Sequence, residues 1–465
     1  MKKTPSISIP LITTPKYKKP DNGKYLTKGD FVEWSEYFGE LVKKEELQCD
    51  SKEFYNSKVK NITFAVTDRC NLRCTYCYES HDAHKYGNIM TKETGKEAVD
   101  LILDRGRMNG YIDERFSEGV ILEFIGGEPL LEIELVDYLT DYFKMRAFEL
   151  DHPWATNYKI SISTNGTLYF GKKVQRYLQK NKSQLSLNIT VDGNKKLHDT
   201  CRLFEDGSGS YDIVEKAFLH WNTETLEYPS TKLTLAPENV SYLKEAVINL
   251  WENLGAININ ANPVYEEGWE LEHAQIYYKQ LKEVADYILD NDLHDKHYIS
   301  LFDEYVGKKD EEKRNYCGGN GDMLAIDPTG KCFPCLRYLD HSMKNNRKSL
   351  IIGGVKEGID SDNPELKKLQ SITMETQSPL KCQECKIGTG CGLCSAFQYD
   401  KFGDANVRAT YICKMHQVRV MLNSYFWNKI YAKLDVNKKF KLDIPKEWAV
   451  DIISEDEYKE LLDLQ

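Results

Sequence analysis

No stretch of these 465 residues holds the ~18 or more consecutive apolar residues that a membrane-spanning helix requires. A secretory signal is missing as well. The opening MKKTPSISIPLITTPKYKKP carries lysines but no adequate apolar core, because Pro10 and Pro15 interrupt it. Nor is there a surplus of positive charge: 62 lysines and arginines face 72 aspartates and glutamates, a net charge of −10, which removes any general attraction for nucleic acid. These absences predict a cytoplasmic protein that neither enters membranes nor binds nucleic acid. At this length two or three domains are expected, and 41% hydrophobic residues suffice for large buried cores.

Cysteine, in contrast, is plentiful. Thirteen cysteines without a secretory signal point to metal ligation rather than disulfides, because the cytosol keeps thiols reduced. Cys70, Cys74 and Cys77 share one loop. Eight more (Cys317, Cys332, Cys335, Cys382, Cys385, Cys391, Cys394 and Cys413) lie between residues 317 and 413, and Cys49 and Cys201 stand apart. Eight is the number that two fully ligated four-cysteine clusters need.

Residues 1–57 are polar, with one amphipathic stretch over Phe31–Lys44 whose Phe31, Trp34, Phe38, Leu41 and Val42 fall at helical spacing. From residue 58 strand-like runs recur at Ile62–Val66, Val120–Ile125, Lys159–Ser163, Leu185–Val191, Lys232–Leu235 and Ala256–Asn260. Helix-length amphipathic segments separate them at 92–107, 131–149, 171–180, 211–222 and 239–253, and a sixth follows at 272–290. Six β-then-α units predict an α/β fold: a parallel sheet curled by right-handed crossovers into a partial (β/α)6 barrel over 58–295. A connecting helix is expected at 297–306, then a cysteine-rich domain to about residue 425 and a tail over 426–465. The polar and glycine-rich motifs fall after strand ends, the edge where such barrels place active sites.

The first cysteine loop, TDRCNLRCTYCY over residues 67–78, directly follows strand one. CxxxCxxC supplies three thiolates, whereas a cubane [4Fe–4S] cluster has four irons, so one iron is left open to a substrate or cofactor. The alternative reading of the loop alone is a zinc site completed by a distant histidine. The spacing, with Tyr76 before the third cysteine, resembles the radical S-adenosylmethionine (radical SAM) enzymes. That resemblance implies S-adenosyl-L-methionine as cofactor, chelated by the open iron and cleaved by one electron to a 5′-deoxyadenosyl radical that takes a hydrogen atom from the substrate.

Other motifs read in the same frame. Gly126-Gly127-Glu128-Pro129 is by itself an ordinary turn; it resembles the family's GGEP element, whose carbonyls and carboxylate bind the methionine ammonium. Period-two alternation puts Ser161, Ser163 and Asn165 on one face of strand three, where Ser163 and Asn165 would meet the cofactor ribose. Asp192-Gly193 through His198 to Arg202 resembles the family's DG…H…R segment, which gives Arg202 the cofactor carboxylate. His198 reads as structural and Cys201 as a bystander.

Cys382-x2-Cys385-x5-Cys391-x2-Cys394 alone fits a zinc knuckle. With Cys317 before it, Gly330-x4-Cys335, and Cys413 after it, the array is similar to the SPASM extension of radical SAM peptide maturases, which carries two auxiliary [4Fe–4S] clusters. By position Cys317, Cys335 and Cys394 would ligate the first, with Cys332 as fourth ligand. Were Cys332 free, that cluster would keep an open iron able to bind a substrate thiolate. Cys382, Cys385, Cys391 and Cys413 would ligate the second. The Cys391–Cys394 spacing is one residue shorter than the family's usual one.

Sulfatase maturases carry an aspartate after the Gly-x4-Cys cysteine, and Leu336 stands there instead. The wording of residues 317–338 and 408–413 looks most like maturases of ribosomally made peptides with repeated CXXX units. This implies a cysteine-rich precursor peptide as substrate, a thioether product, and a flavodoxin or ferredoxin as electron donor. Radical epimerisation and carbon–carbon cross-linking are the rival reactions of the same class. A ferredoxin-like electron-transfer protein is the rival of another class, but it needs neither GGEP nor a barrel. The 57 residues before strand one fall short of the ~80 of a winged-helix leader-binding module, so at most a partial leader-binding segment is expected.

Overall fold

The structure is a computed structural model that describes residues 60–111, 119–225, 229–307, 317–320, 323–345, 347–372, 380–392 and 394–465. The amphipathic stretch Phe31–Lys44 and Cys49 lie outside these residues.

Four parallel strands in chain order, β1 (Lys60–Thr67), β2 (Val120–Gly126), β3 (Tyr158–Thr164) and β4 (Leu185–Ile189), form the first part of the barrel wall. Their register aligns Ile62, Leu122, Ile160 and Leu185 in one row and Phe64, Phe124, Ile162 and Leu187 in the next. Those side chains are buried beneath helices α1 (Lys92–Ile102), α2 (Ile133–Glu149) and α3 (Lys172–Asn181). The alternate residues carry polar groups. Thr63 donates to Glu123 at 2.8 Å and Asn188 to Ser161 at 3.3 Å, so the inner face of the sheet is a hydrogen-bonded polar surface. Strict alternation in β2 and β3 made both strands legible from sequence.

The expected single parallel sheet is interrupted once. β5 (Ser230–Leu235) pairs with β6 (Asn258–Pro263) in a separate three-stranded sheet. Side chains bridge the seam: Thr231 Oγ1 accepts from Val191 N and donates to Ile189 O, both at 3.1 Å, and Asp192 accepts from Thr234 N at 3.0 Å. The connecting helix expected at 297–306 is not formed. Tyr298–Ile299 extend β6's sheet as β7, parallel to Asn258–Ile259, and turns follow. An extended Tyr-Ile pair beside an unpaired strand edge gains ladder hydrogen bonds that a short exposed helix would not.

The segment expected to form one helix at 239–253 is a 3-10 turn, then α5 (Leu243–Ile248), then a π turn over Asn249–Asn253. Helix α4 (Tyr211–Thr225) precedes β5, and α6 (Leu271–Asp290) follows β6. The π turn aims Asn249 at the loop after β4, donating to Gly193 O at 3.3 Å. β1 gains a second neighbour from far along the chain: β8 (Met323–Ile326) runs parallel to it, and β9 (Lys331–Phe333) continues the sheet. The cysteine-rich region is thus built onto the open edge of the barrel. Among the described residues no helix is long and apolar enough to cross a membrane.

Candidate functional site

The loop bearing Cys70, Cys74 and Cys77 leaves the end of β1 and is clamped by the segment after β4. Arg73 N donates to Leu203 O at 2.7 Å and Thr75 N to Cys201 O at 2.9 Å, while Leu72 is fully buried. The Arg73 guanidinium ties the loop to itself through Cys70 O at 2.7 Å. Among the described residues no three cysteine sulfurs lie within 4.8 Å of one another. A tetrahedral zinc with ~2.3 Å bonds would draw its sulfurs to about 3.8 Å. The three thiols are therefore not gathered as a single zinc ion would hold them. Burial pushes the Cys70 thiol up to about 12 and the Cys77 thiol higher still, so ligation to a cation is what gives thiolates at neutral pH.

Among the described residues one close trio of ligand-type atoms exists, from Cys77, Glu79 and His84, and it reads as a hydrogen-bond network. His84 Nε2 lies 3.1 Å from Glu79 Oε2 and 3.8 Å from Cys77 Sγ. His341, from the cysteine-rich region, pairs with the other Glu79 oxygen at 3.4 Å and with Asp68 at 3.4 Å.

Gly126 and Gly127 sit where β2 approaches the cysteine loop too closely for any side chain. A Cβ on Gly126 would lie 2.1 Å from Thr67 O, and one on Gly127 2.3 Å from Arg69 O. Gly127 N and Glu128 N donate to those same carbonyls at 2.9 and 2.8 Å. Gly127→Ala should therefore push the cysteine loop off its support, costing about 1–3 kcal/mol in thermal unfolding and lowering iron retention. Wild-type iron content in that variant would show that the contact is dispensable.

Glu128 is buried and organises the ends of three strands. Its Oε1 accepts from Thr164 Oγ1 at 2.6 Å and Leu130 N at 3.0 Å, and its Oε2 from Asn165 N at 2.8 Å. Oε2 has one lone pair to spare, the acceptor capacity a ligand ammonium needs. Pro129 starts a short 3-10 turn capped by Glu128. Asn165 Nδ2 donates to Asn71 Oδ1 at 2.9 Å and lies 3.8 Å from Cys70 Sγ. Ser163 is half-buried at the end of β3.

Opposite them, half-buried Tyr76 and buried Asp192 and Arg202 form a triad. The Tyr76 hydroxyl donates to Asp192 and accepts from Arg202 Nη1 at 2.9 Å, and Arg202 lies 3.9 Å from Asp192. Arg202 is 8% exposed, and its Nε, buried, has no partner among the described residues. A buried guanidinium N–H without an acceptor is costly, and a ligand carboxylate is the group that satisfies it. Arg202 also pulls the Cys74 thiol downward against burial, which ties the triad to the cysteine loop. Asp192, read from sequence within the DG…H…R segment but given no role of its own there, is thus hydrogen-bonded to one candidate site residue, Tyr76, and ion-paired with another, Arg202. Its signal was its place directly after β4. Glu79, His84 and His341 had none, since their partners lie up to 273 residues apart in the chain.

The eight downstream cysteines separate into two groups and one outlier. Cys335 is pushed up by burial and then by Cys394 and Cys317, and Cys317 Sγ lies 2.9 Å from Ser395 Oγ. Burial raises Cys391 to about 11, with Cys413, Cys385 and Cys382 adding to it and Arg408 opposing. Cys332 is different. It is fully buried in the hydrophobic core on β9, where its charged neighbours are Asp327 and Glu357 and none is a thiol. On β9 Cys332 thus stands apart from the Cys317, Cys335 and Cys394 thiols whose fourth partner it was expected to be.

Residues 64–222 match the Radical SAM superfamily. The chain is 22% identical over 380 residues to the radical SAM cyclopropyl synthase TigE of Paramaledivibacter caminithermalis, covering 78% of this chain and 73% of that one. It is 24% identical over 295 residues to the antilisterial bacteriocin subtilosin biosynthesis protein AlbA of Bacillus subtilis (strain 168), covering 60% of this chain but 55% of AlbA. Native anSMEcpe with bound AdoMet and Cp18Cys peptide shares the fold at a TM-score of 0.59 and 19% identity, over 81% of this chain and 99% of that one. Over residues 64–222 the chain thus carries a Radical SAM domain, with a three-thiol loop at the strand edge and a cysteine-rich extension built onto the open edge of the barrel.

Proposed function

We propose that this enzyme matures a ribosomally made, cysteine-rich precursor peptide by joining a cysteine sulfur to a carbon of another residue. The observation that carries this reading is the presence of two further thiol groups on the region built onto the open edge of the barrel. Thioether formation removes two hydrogens from the peptide, one as an atom and one as a proton with an electron, so an acceptor for that electron must stand near the substrate. An iron–sulfur cluster is such an acceptor, and AlbA, a bacteriocin biosynthesis protein, supports a peptide substrate.

S-adenosylmethionine bound at the first cluster would supply the hydrogen-abstracting radical once a flavodoxin- or ferredoxin-class donor provides an electron. The chain's residues have assignable parts. Cys70, Cys74 and Cys77 hold the cluster. Arg202 Nε faces the methionine carboxylate, with Tyr76 and Asp192 fixing its rotamer. Glu128 Oε2 and the Gly126–Gly127 backbone face the ammonium, and Ser163 and Asn165 the ribose. Cys317, Cys335 and Cys394 give one auxiliary cluster three protein ligands, which leaves room for a substrate sulfur. Cys382, Cys385, Cys391 and Cys413 give the other its full four.

Arg202→Leu should weaken S-adenosylmethionine binding about 10- to 150-fold, the worth of a hydrogen bond to a charged group. Calorimetry with unchanged iron content checks it, and unaltered affinity would remove the assignment.

TigE favours a second reading, carbon–carbon bond formation, since a cyclopropyl synthase makes such bonds. Mass spectrometry of the reacted peptide separates the outcomes. Loss of two hydrogens with a cysteine no longer alkylated by iodoacetamide supports the thioether. The same loss with every cysteine still alkylated means a carbon–carbon bond, and unchanged mass with inverted stereochemistry means epimerisation.

A further inference from the structure

A cation, Arg337, lies between the first cysteine loop and the segments that carry Cys335 and Cys394. Arg337 follows Cys335 by two residues. Its guanidinium sits over the ring of Tyr78, 4.4 Å from the centroid, and Tyr78 is the chain neighbour of Cys77. Its Nη2 pairs with Glu266 Oε1 at 3.0 Å, from the loop after β6, and its side chain is only 20% exposed. Arg337 sits in the 3-10 turn Leu336–Tyr338 that Cys335 caps, and Ala396 and Phe397, two and three residues after Cys394, line the same cavity as its side chain. The wedge borders a cavity of about 200 Å³ whose other walls include Lys344, Phe397 and Lys401.

We propose that Arg337 is a positioning residue whose fixed charge raises the electron affinity of the auxiliary cluster at Cys317, Cys335 and Cys394. This rests on the proposed function, in which that site holds a cluster. A thiolate-ligated cluster gains one negative charge on reduction. A cation held beside a ligating sulfur in a region of low dielectric therefore favours the reduced form. Arginine suits the task because it stays protonated whatever the local field and lies flat on an aromatic ring. Glu266 holds it in place and partly offsets its charge, so the two residues bias the site in opposite directions. A lysine could not keep the stacked geometry but would keep the charge.

The test is a redox titration of anaerobically reconstituted holoenzyme, each cluster followed by its paramagnetic resonance signal. Arg337→Gln should make one auxiliary cluster at least tenfold harder to reduce, about 59 mV for a one-electron couple. The first cluster should not move. Arg337→Lys should restore most of the shift, which a merely structural role would not predict. Glu266→Gln should move the same cluster the opposite way. If Arg337→Gln fails to retain iron, the sign of the Glu266→Gln shift decides: upward supports the proposal, and no shift or a downward one overturns it. Unchanged potentials in both variants also overturn it. Wild-type enzyme without auxiliary clusters would sink the proposed function itself, which is a separate result.

Discussion

Cys74→Ala should abolish formation of 5′-deoxyadenosine, with cleavage falling at least ~10³-fold, to the uncatalysed background. The loop offers three sulfurs and no spare: among the described residues no fourth cysteine joins them, and Cys201, whose carbonyl receives Thr75 N, packs its own thiol in the core. Removing the middle ligand leaves two thiolates, too few to hold a cubane with one open iron. Cys74 is also the thiol that Arg202 acts on, so its loss disconnects the cofactor-facing triad from the metal site. Anaerobic reduction followed by chromatography of the nucleoside products gives the readout, and with the three clusters proposed above iron content should fall by about a third. Cleavage at even a tenth of the wild-type rate would mean that the open-iron reading of this loop is wrong.

The parts of this molecule legible from sequence are those governed by local periodicity or by ligand spacing. β2 and β3 alternate buried and half-buried residues without a break, so their extents were readable to within a residue. The cysteine loop needed only its spacing. What escaped was set by contacts between distant segments. Tyr298 and Ile299 have a helix-compatible pattern, and only the vacant edge of β6 makes them a strand. The seam between β4 and β5 depends on Thr231 and Asp192 reaching across it, which no window of sequence displays. Cys332 illustrates the limit of counting. Eight cysteines match two four-ligand clusters in number, but Cys332 lies in the core on β9, where its neighbour Phe333 is buried as well. The His84–Glu79–His341 bridge joins elements whose proximity follows from β8 pairing with β1, a crossover over some 260 residues.

The same separation of sites predicts that Cys385→Ala should divide two activities that Cys74→Ala abolishes together. Cys385 belongs to the group with Cys382, Cys391 and Cys413, far enough from the first loop that neither it nor its partners are among the charges acting on Cys70, Cys74 or Cys77. Losing it leaves the three-thiol loop, the Arg202 triad and Glu128 intact, so 5′-deoxyadenosine should still form within about threefold of the wild-type rate. Product should fall at least ~10-fold, as for loss of a metal-site partner, because the electron released in bond formation has lost its outlet. The ratio of nucleoside to cross-linked peptide is the quantity to measure, since it cancels differences in enzyme recovery. A rise in that ratio locates the defect after hydrogen abstraction. Equal loss of both products, with iron in the first cluster retained, would show that the C-terminal cysteines serve cofactor cleavage itself and have no separate part in forming the bond.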